Sequence, residues 1–126
     1  LDGSNGFKIT CPGCELFGWS VDAGGDINGD GRRDIYIGRK VPQISQMSCP
    51  TPNGAGAYVV FGKKTWSKEL RFTNPDNGSS WGPPGTTGFV FGGLGLPPNF
   101  SYDGVLGDLN SDGIADLSVS ALGKVY

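Results

Sequence analysis

Residues 26–34 read Asp26-Ile27-Asn28-Gly29-Asp30-Gly31-Arg32-Arg33-Asp34, and residues 108–116 read Asp108-Leu109-Asn110-Ser111-Asp112-Gly113-Ile114-Ala115-Asp116. In each stretch oxygen-bearing side chains fall at positions one, three, five and nine, and a glycine stands at position six, where the backbone must turn sharply. That spacing suits a hard divalent cation. Calcium takes about 6–8 oxygen ligands at roughly 2.3–2.6 Å, and three carboxylates, an amide oxygen and one backbone carbonyl supply most of such a shell. Magnesium, which keeps its waters, suits a dedicated protein cage less well. The competing reading of one such loop is a polar turn rich in Asp, Asn and Gly. Two copies with matched flanks weigh against it.

The first six positions would also open an EF-hand loop, which needs a bidentate glutamate at position twelve and a helix on either side. Position twelve is Ile37 in one copy and Val119 in the other. The chain leaves the loops as Ile35-Tyr36-Ile37 and Leu117-Ser118-Val119, with apolar residues at every second place. That is the period of a strand. Each loop is therefore expected to join two strands.

Outward from the loops, a repeat emerges. Asp108 follows Asp26 by 82 residues, and Gly6-Phe7 returns as Gly88-Phe89 at the same offset. Gly25, Ile27, Asn28, Asp30, Gly31, Asp34, Ile35 and Ile37 have their counterparts at Gly107, Leu109, Asn110, Asp112, Gly113, Asp116, Leu117 and Val119. A register shared over this length is an internal repeat. Phe17 to Val21 should enter the first loop as a strand. The unbroken apolar run Ala57-Tyr58-Val59-Val60-Phe61 suits a strand covered on both faces. Glu69 to Thr73 alternates and is expected to be a more exposed outer strand, while 38–56, 74–87 and 92–98 read as surface connections. The units divide at 1–87 and 88–126.

The chain has 126 residues, enough for one domain with a modest core. Its 23 glycines and 9 prolines, with no long helical period, point to all-β structure with many turns. A net charge of -2 and no basic face disfavour nucleic acid. Six of the twelve acidic residues lie in the two loops, a concentration of like charge that a cation would relieve. No run of about eighteen apolar residues and no signal peptide are present, so no membrane insertion is expected and the chain reads as a mature soluble product or an excised portion.

Three cysteines remain: Cys11 and Cys14 in Cys-Pro-Gly-Cys, and Cys49. A Cys-x-x-Cys pair can be a redox centre, half a zinc site or a structural disulfide; the chain has no His and no second pair to complete a zinc shell. A structural disulfide in an oxidising compartment is the favoured reading, with Cys49 pairing either with a neighbouring chain or with one of the first two. Asn77-Gly78-Ser79 and Asn99-Phe100-Ser101 fit the N-glycosylation pattern in expected loops. Trp19, beside the first loop, is expected in the core. Trp66 and Trp81, in connections, are equally open to sugar stacking.

Gly18-Trp19-Ser20-Val21, Gly25 through Gly38, and Tyr58-Val59-Val60-Phe61-Gly62, with Gly107 through Val119 and Gly123-Lys124-Val125-Tyr126 in the second copy, resemble the integrin-alpha type FG-GAP repeat. The chain departs from that pattern at the Gly-Ala-Pro element, where it has Gly38-Arg39-Lys40 and Ser120-Ala121-Leu122. The resemblance implies two antiparallel four-stranded β-propeller blades, the second incomplete within the chain and open to completion by a neighbouring copy. It also implies two calcium sites. Their ligands would be Asp26, Asn28, Asp30, Asp34 and the Arg32 carbonyl in one, and Asp108, Asn110, Asp112, Asp116 and the Ile114 carbonyl in the other.

Propellers have about 4–8 blades, so two blades call for completion by copies of the chain or by a longer protein. The leading expectation is a non-enzymatic extracellular calcium-binding module with a structural or adhesive role, the subunit of a head-to-tail glycosylated fibre. The alternatives are a fragment of an integrin-like adhesion propeller that binds protein or glycan ligands, and an auxiliary domain of a secreted hydrolase. Without His, imidazole-based acid–base chemistry and Ser-His or Cys-His nucleophiles are absent.

Overall fold

The computed structural model describes residues 1–12, 14, 16–39, 57–73, 83–84, 86–91, 103–121 and 124–125. Among them every regular element is a strand: β1 (Lys8–Thr10), β2 (Phe17–Asp22), β3 (Ile35–Arg39), β4 (Ala57–Val60), β5 (Glu69–Arg71), β6 (Gly88–Phe91), β7 (Asp103–Gly107), β8 (Asp116–Ala121) and β9 (Lys124–Val125). They form three sheets. A central antiparallel sheet runs β2-β3-β4-β6, a second antiparallel sheet runs β7-β8-β9, and β1 pairs with β5 in a two-stranded parallel ribbon.

Strand β4 sits at the centre because it is apolar on both faces, and all four of its residues are fully buried. Its alternate side chains feed two separate clusters, as the period of a strand requires. Ala57 and Val59 pack with Tyr36 of β3 and with Ala115, which belongs to the second unit; Ile27, Phe61 and Leu117 border them. Tyr58 and Val60 face the other way, against Ile37, Cys14, Leu70 and Phe72. Phe17, Tyr58 and Phe72 meet there with ring centroids 5.2–5.4 Å apart. Each fully buried aliphatic or aromatic side chain is worth roughly 1.5–3 kcal/mol. The central sheet is thus the shared wall of two cores.

Three local expectations change. Residues 69–73 do not form an exposed outer strand: β5 leaves the central sheet, pairs with β1 in the register Lys8↔Glu69, and buries Leu70 and Phe72 against its face. Alternation between charged and apolar residues marks one buried face but does not say which sheet will cover it. The Gly88–Phe91 stretch, placed by the repeat register at the head of the second unit, is the fourth strand of the central sheet and pairs with β4. Trp19 is 53% exposed rather than buried. The pairing register shifts between Phe17 and Ser20, and Gly18 has φ +79°. This irregularity sends Phe17 into the aromatic cluster and leaves Trp19 at the edge of the sheet. Trp66 stacks on Phe7, centroids 3.9 Å apart, with the Lys63 ammonium 5.5 Å from its ring.

Cys11 and Cys14 are joined as a disulfide, their Cα atoms 5.2 Å apart. Cys14 is buried and its sulfur lies 3.4 Å from the Tyr58 hydroxyl. Cys49, Trp81 and the glycosylation candidates Asn77 and Asn99 lie outside the described residues.

Candidate cation-binding loops

The first loop connects β2 to β3 and the second connects β7 to β8, so both are hairpin connections between antiparallel neighbours. Within them short polar side chains turn back onto their own backbone, the habit of Asp and Asn in turns. In the first loop the Asp30 amide donates to Asp26 Oδ1 at 3.0 Å and to Asn28 Oδ1 at 3.1 Å. The Gly31 amide donates to Asp26 Oδ2 at 2.7 Å, and the Arg32 amide to Asp30 Oδ1 at 2.9 Å. Ile27 N–H reaches forward to Asp34 Oδ2 at 2.8 Å. The side chains at positions one, three, five and nine thus each accept from backbone amides of the turn itself. Gly29 and Gly31 take φ of +72° and +82°, a region glycine enters without steric cost.

The second loop repeats this arrangement bond for bond. Asp112 N–H donates to Asp108 Oδ1 at 3.1 Å and to Asn110 Oδ1 at 2.9 Å, Gly113 N–H to Asp108 Oδ2 at 2.9 Å, and Ile114 N–H to Asp112 Oδ1 at 2.8 Å. Leu109 N–H donates to Asp116 Oδ2 at 2.9 Å. Where Gly29 stands in the first loop, Ser111 adopts φ +65° in the second.

A hairpin loop of this pattern, entered by Gly-Trp-Ser-Val and left by Ile-Tyr-Ile-Gly toward the buried strand β4, decides the comparison with known families. Residues 17–60 match the FG-GAP repeat. No curated protein and no solved structure matches the chain. The FG-GAP match takes in β2, the first loop, β3 and β4. The second loop shares its bonding with that FG-GAP segment position by position.

The surroundings of the two loops differ. Asp34 is completely buried, and its other oxygen, Oδ1, accepts from Gly62 N–H at 2.7 Å, just beyond β4. An ionised carboxylate in such a place needs hydrogen-bond donors at both oxygens, and two backbone amides supply them. Asp116, its counterpart, is only partly buried. Ile27 is half-buried against the cluster of Tyr36, Ala57, Val59 and Ala115, whereas its counterpart Leu109 is 71% exposed. The carbonyl of Asp26 accepts from Ala115 N–H at 2.8 Å, so the loop inside the FG-GAP match is hydrogen-bonded to the loop at 108–116.

The donor set of each loop is oxygen throughout, without nitrogen or sulfur, and so fits a hard cation by type. Each ionised carboxylate offers about four lone-pair sites, more than the two amide bonds that Asp26 accepts. Among the described residues no group of three Asp, Glu, Cys or His side chains already stands in a metal-holding arrangement. Arg32 and Ile114 occupy position seven, where a backbone carbonyl is the expected donor. The Arg32 side chain turns outward to Asp30, with its guanidinium 3.6 Å from Oδ2. This pair is solvent-exposed and worth about 0–1 kcal/mol.

Two residues of the site escape a reading of the spacing: Gly62, whose N–H holds Asp34, and Ala115, whose N–H reaches the first loop. Gly62 carries one signal, its place at the end of the run Tyr58 to Gly62. A Cβ there would collide with the Arg33 carbonyl. Ala115 carries none, because backbone amides donate whatever their side chain.

Proposed function

We propose that this chain is a calcium-rigidified, non-catalytic module of an extracellular structural or adhesive assembly. The observation that carries the reading is the recurrence of one hydrogen-bonding pattern on the same positions of two loops 82 residues apart, the first of them inside the FG-GAP match. Calcium would be held by Asp26, Asn28, Asp30, Asp34 and the Arg32 carbonyl, and by Asp108, Asn110, Asp112, Asp116 and the Ile114 carbonyl. Bound there, it neutralises crowded carboxylates and locks the strand connections. Extracellular modules of this kind hold calcium with dissociation constants of about 10⁻⁴–10⁻³ M, matched to a compartment in which the site stays loaded. Secretion also agrees with the Cys11–Cys14 disulfide. No helix among the described residues is long and apolar enough to cross a membrane.

Head-to-tail association with copies of itself is part of the same proposal. Ile27 packs against the cluster of Tyr36, Ala57, Val59 and Ala115 that the two units share, whereas the matching Leu109 stands open. A copy placed as the second unit is placed would cover it, and repetition of such a heterologous contact builds a fibre. Attached glycans at Asn77 and Asn99 complete the proposal.

Thermal unfolding with about 2 mM calcium and with excess EDTA tests the metal. Ligand binding at a few times Kd adds about 1 kcal/mol per site, which for a domain of this size raises Tm by several degrees. An unchanged Tm across the two buffers would remove calcium from the account. Sedimentation velocity on wild type and Leu109→Asp tests the assembly. Wild type is expected to form concentration-dependent oligomers that the variant lacks.

A further inference from the structure

We propose that the Cys11–Cys14 bridge is a site of thiol–disulfide exchange, open at Cys11 to a low-molecular-weight thiol, with Cys14 as the sulfur that departs beneath the Tyr58 hydroxyl. The inference stands apart from the calcium reading and goes beyond it. The two ends of the bridge have unlike surroundings. Cys11 is partly exposed at the border of the aromatic cluster, next to the exposed Pro12, whereas Cys14 is 8% exposed and belongs to the cluster of Ile37, Tyr58, Val60, Leu70 and Phe72. A nucleophile arriving from solvent therefore meets Cys11 first and expels Cys14 inward. The partial cover over Cys11 favours a small thiol over a cysteine on a folded protein.

The inward sulfur has a polar neighbour. Tyr58 is completely buried, and its hydroxyl lies 3.4 Å from Cys14 Sγ. A bridged sulfur carries no proton, so the hydroxyl is the donor of that contact. Apolar surroundings disfavour a thiolate, whereas a hydrogen bond to an ionised acceptor is stronger than one to a neutral acceptor. The contact thus strengthens as negative charge develops on Cys14, and a better stabilised leaving thiolate departs faster. The bridge adds little to the local fold. It closes a loop of sequence separation 3, and short loops constrain the unfolded chain least. The Cys14 amide donates to the Cys11 carbonyl at 3.1 Å, a backbone bond that keeps the two cysteines together once the bridge is open.

In the first step a thiolate bonds to Cys11 Sγ while the Cys11–Cys14 bond breaks, its electron pair leaving with Cys14 as a thiolate. A second thiolate attacks the outer sulfur of the mixed disulfide and releases Cys11. Two external thiols are thereby oxidised to one disulfide, the bridge is reduced, and the protons given up by the external thiols end on Cys11 and Cys14.

The test is treatment of the native chain with reduced glutathione in a Cys49→Ser background, where Cys11 and Cys14 are the only cysteines, followed by acid quenching and mass spectrometry. The expected trapped species carries glutathione on Cys11, located by fragmentation, and circular dichroism stays native. Tyr58→Phe, checked for native circular dichroism, is expected to exchange about tenfold more slowly, the order of one hydrogen bond to a charged group. A bridge that glutathione opens in urea but not in the native chain would overturn the proposal, as would glutathione found on Cys14. A Tyr58→Phe rate equal to its parent's would overturn it too. Should that variant not fold, the position of the glutathione decides alone.

Discussion

Asp34 is the completely buried side chain of the first loop, and it ties Ile27 N–H of that loop to Gly62 N–H just beyond β4. In Asp34→Asn one oxygen becomes an NH2 that faces a backbone donor. A buried donor left without an acceptor costs about 1–3 kcal/mol, to be read by urea unfolding in EDTA, where no metal contributes. Asp30→Asn, on an exposed residue, should lose less than about 1 kcal/mol in the same buffer. Equal losses would mean that Asp34 is not a latch. On the far side of the molecule the Thr10 hydroxyl, 2.7 Å from Glu69 Oε1, holds that carboxyl below its ordinary range, and the Lys8 ammonium at 3.4 Å adds to the effect. The folded pKa lies below the unfolded one, so the stabilisation is present above the unfolded value and fades as pH falls through the folded one. Thr10→Val should return the Glu69 titration toward the ordinary carboxylate range, as followed by NMR of its side-chain carboxyl. A midpoint that stays put would show that the hydroxyl is not the cause.

At the scale of elements, the seam between the central and second sheets is set by Tyr36 of β3 and Gly104 of β7. A Cβ on Gly104 would fall 2.5 Å from Cζ of the Tyr36 ring, so only glycine lets the strands approach this closely. Gly104→Ala is expected to cost about 1–3 kcal/mol as an overpacked contact, measured by denaturant unfolding; a neutral outcome would mean that the ring moves freely aside. What could be foreseen here was whatever is local. The loops, the strands on either side of them and the doubly covered β4 follow from spacing and apolar period within a few residues. Pairing across the chain did not follow so readily. Gly88-Phe89 echoes Gly6-Phe7 in register, and the strand that follows the first pair and the one that contains the second both pair outside the sheet bearing their unit's loop: β1 with β5, and β6 with β4. The repeat was legible, but the sheet each strand would join was not, since that is decided by which edge lies open nearby. Trp19 shows the same limit on a smaller scale. Strand alternation puts it on the covered face, and a bulge at the edge of the sheet leaves it in solvent.

Across the whole molecule the three sheets meet at the central one, which receives the second unit on one face and the β1–β5 ribbon on the other. The contact with the second unit combines apolar packing with a backbone hydrogen bond from loop to loop. The ribbon depends on residues far apart in the chain, since Thr10 and Glu69 meet across a separation of 59. That separation implies an order of assembly. A hairpin closes over a short span in microseconds, whereas a parallel pairing must first bear the entropy of a long loop. The hairpin of β2 and β3 can form early, and the first dozen residues dock last, once the surface made by Ile37, Tyr58 and Val60 exists to receive them. On a ribosome β1 would emerge well before β5 and wait unpaired until residue 71 had followed it out.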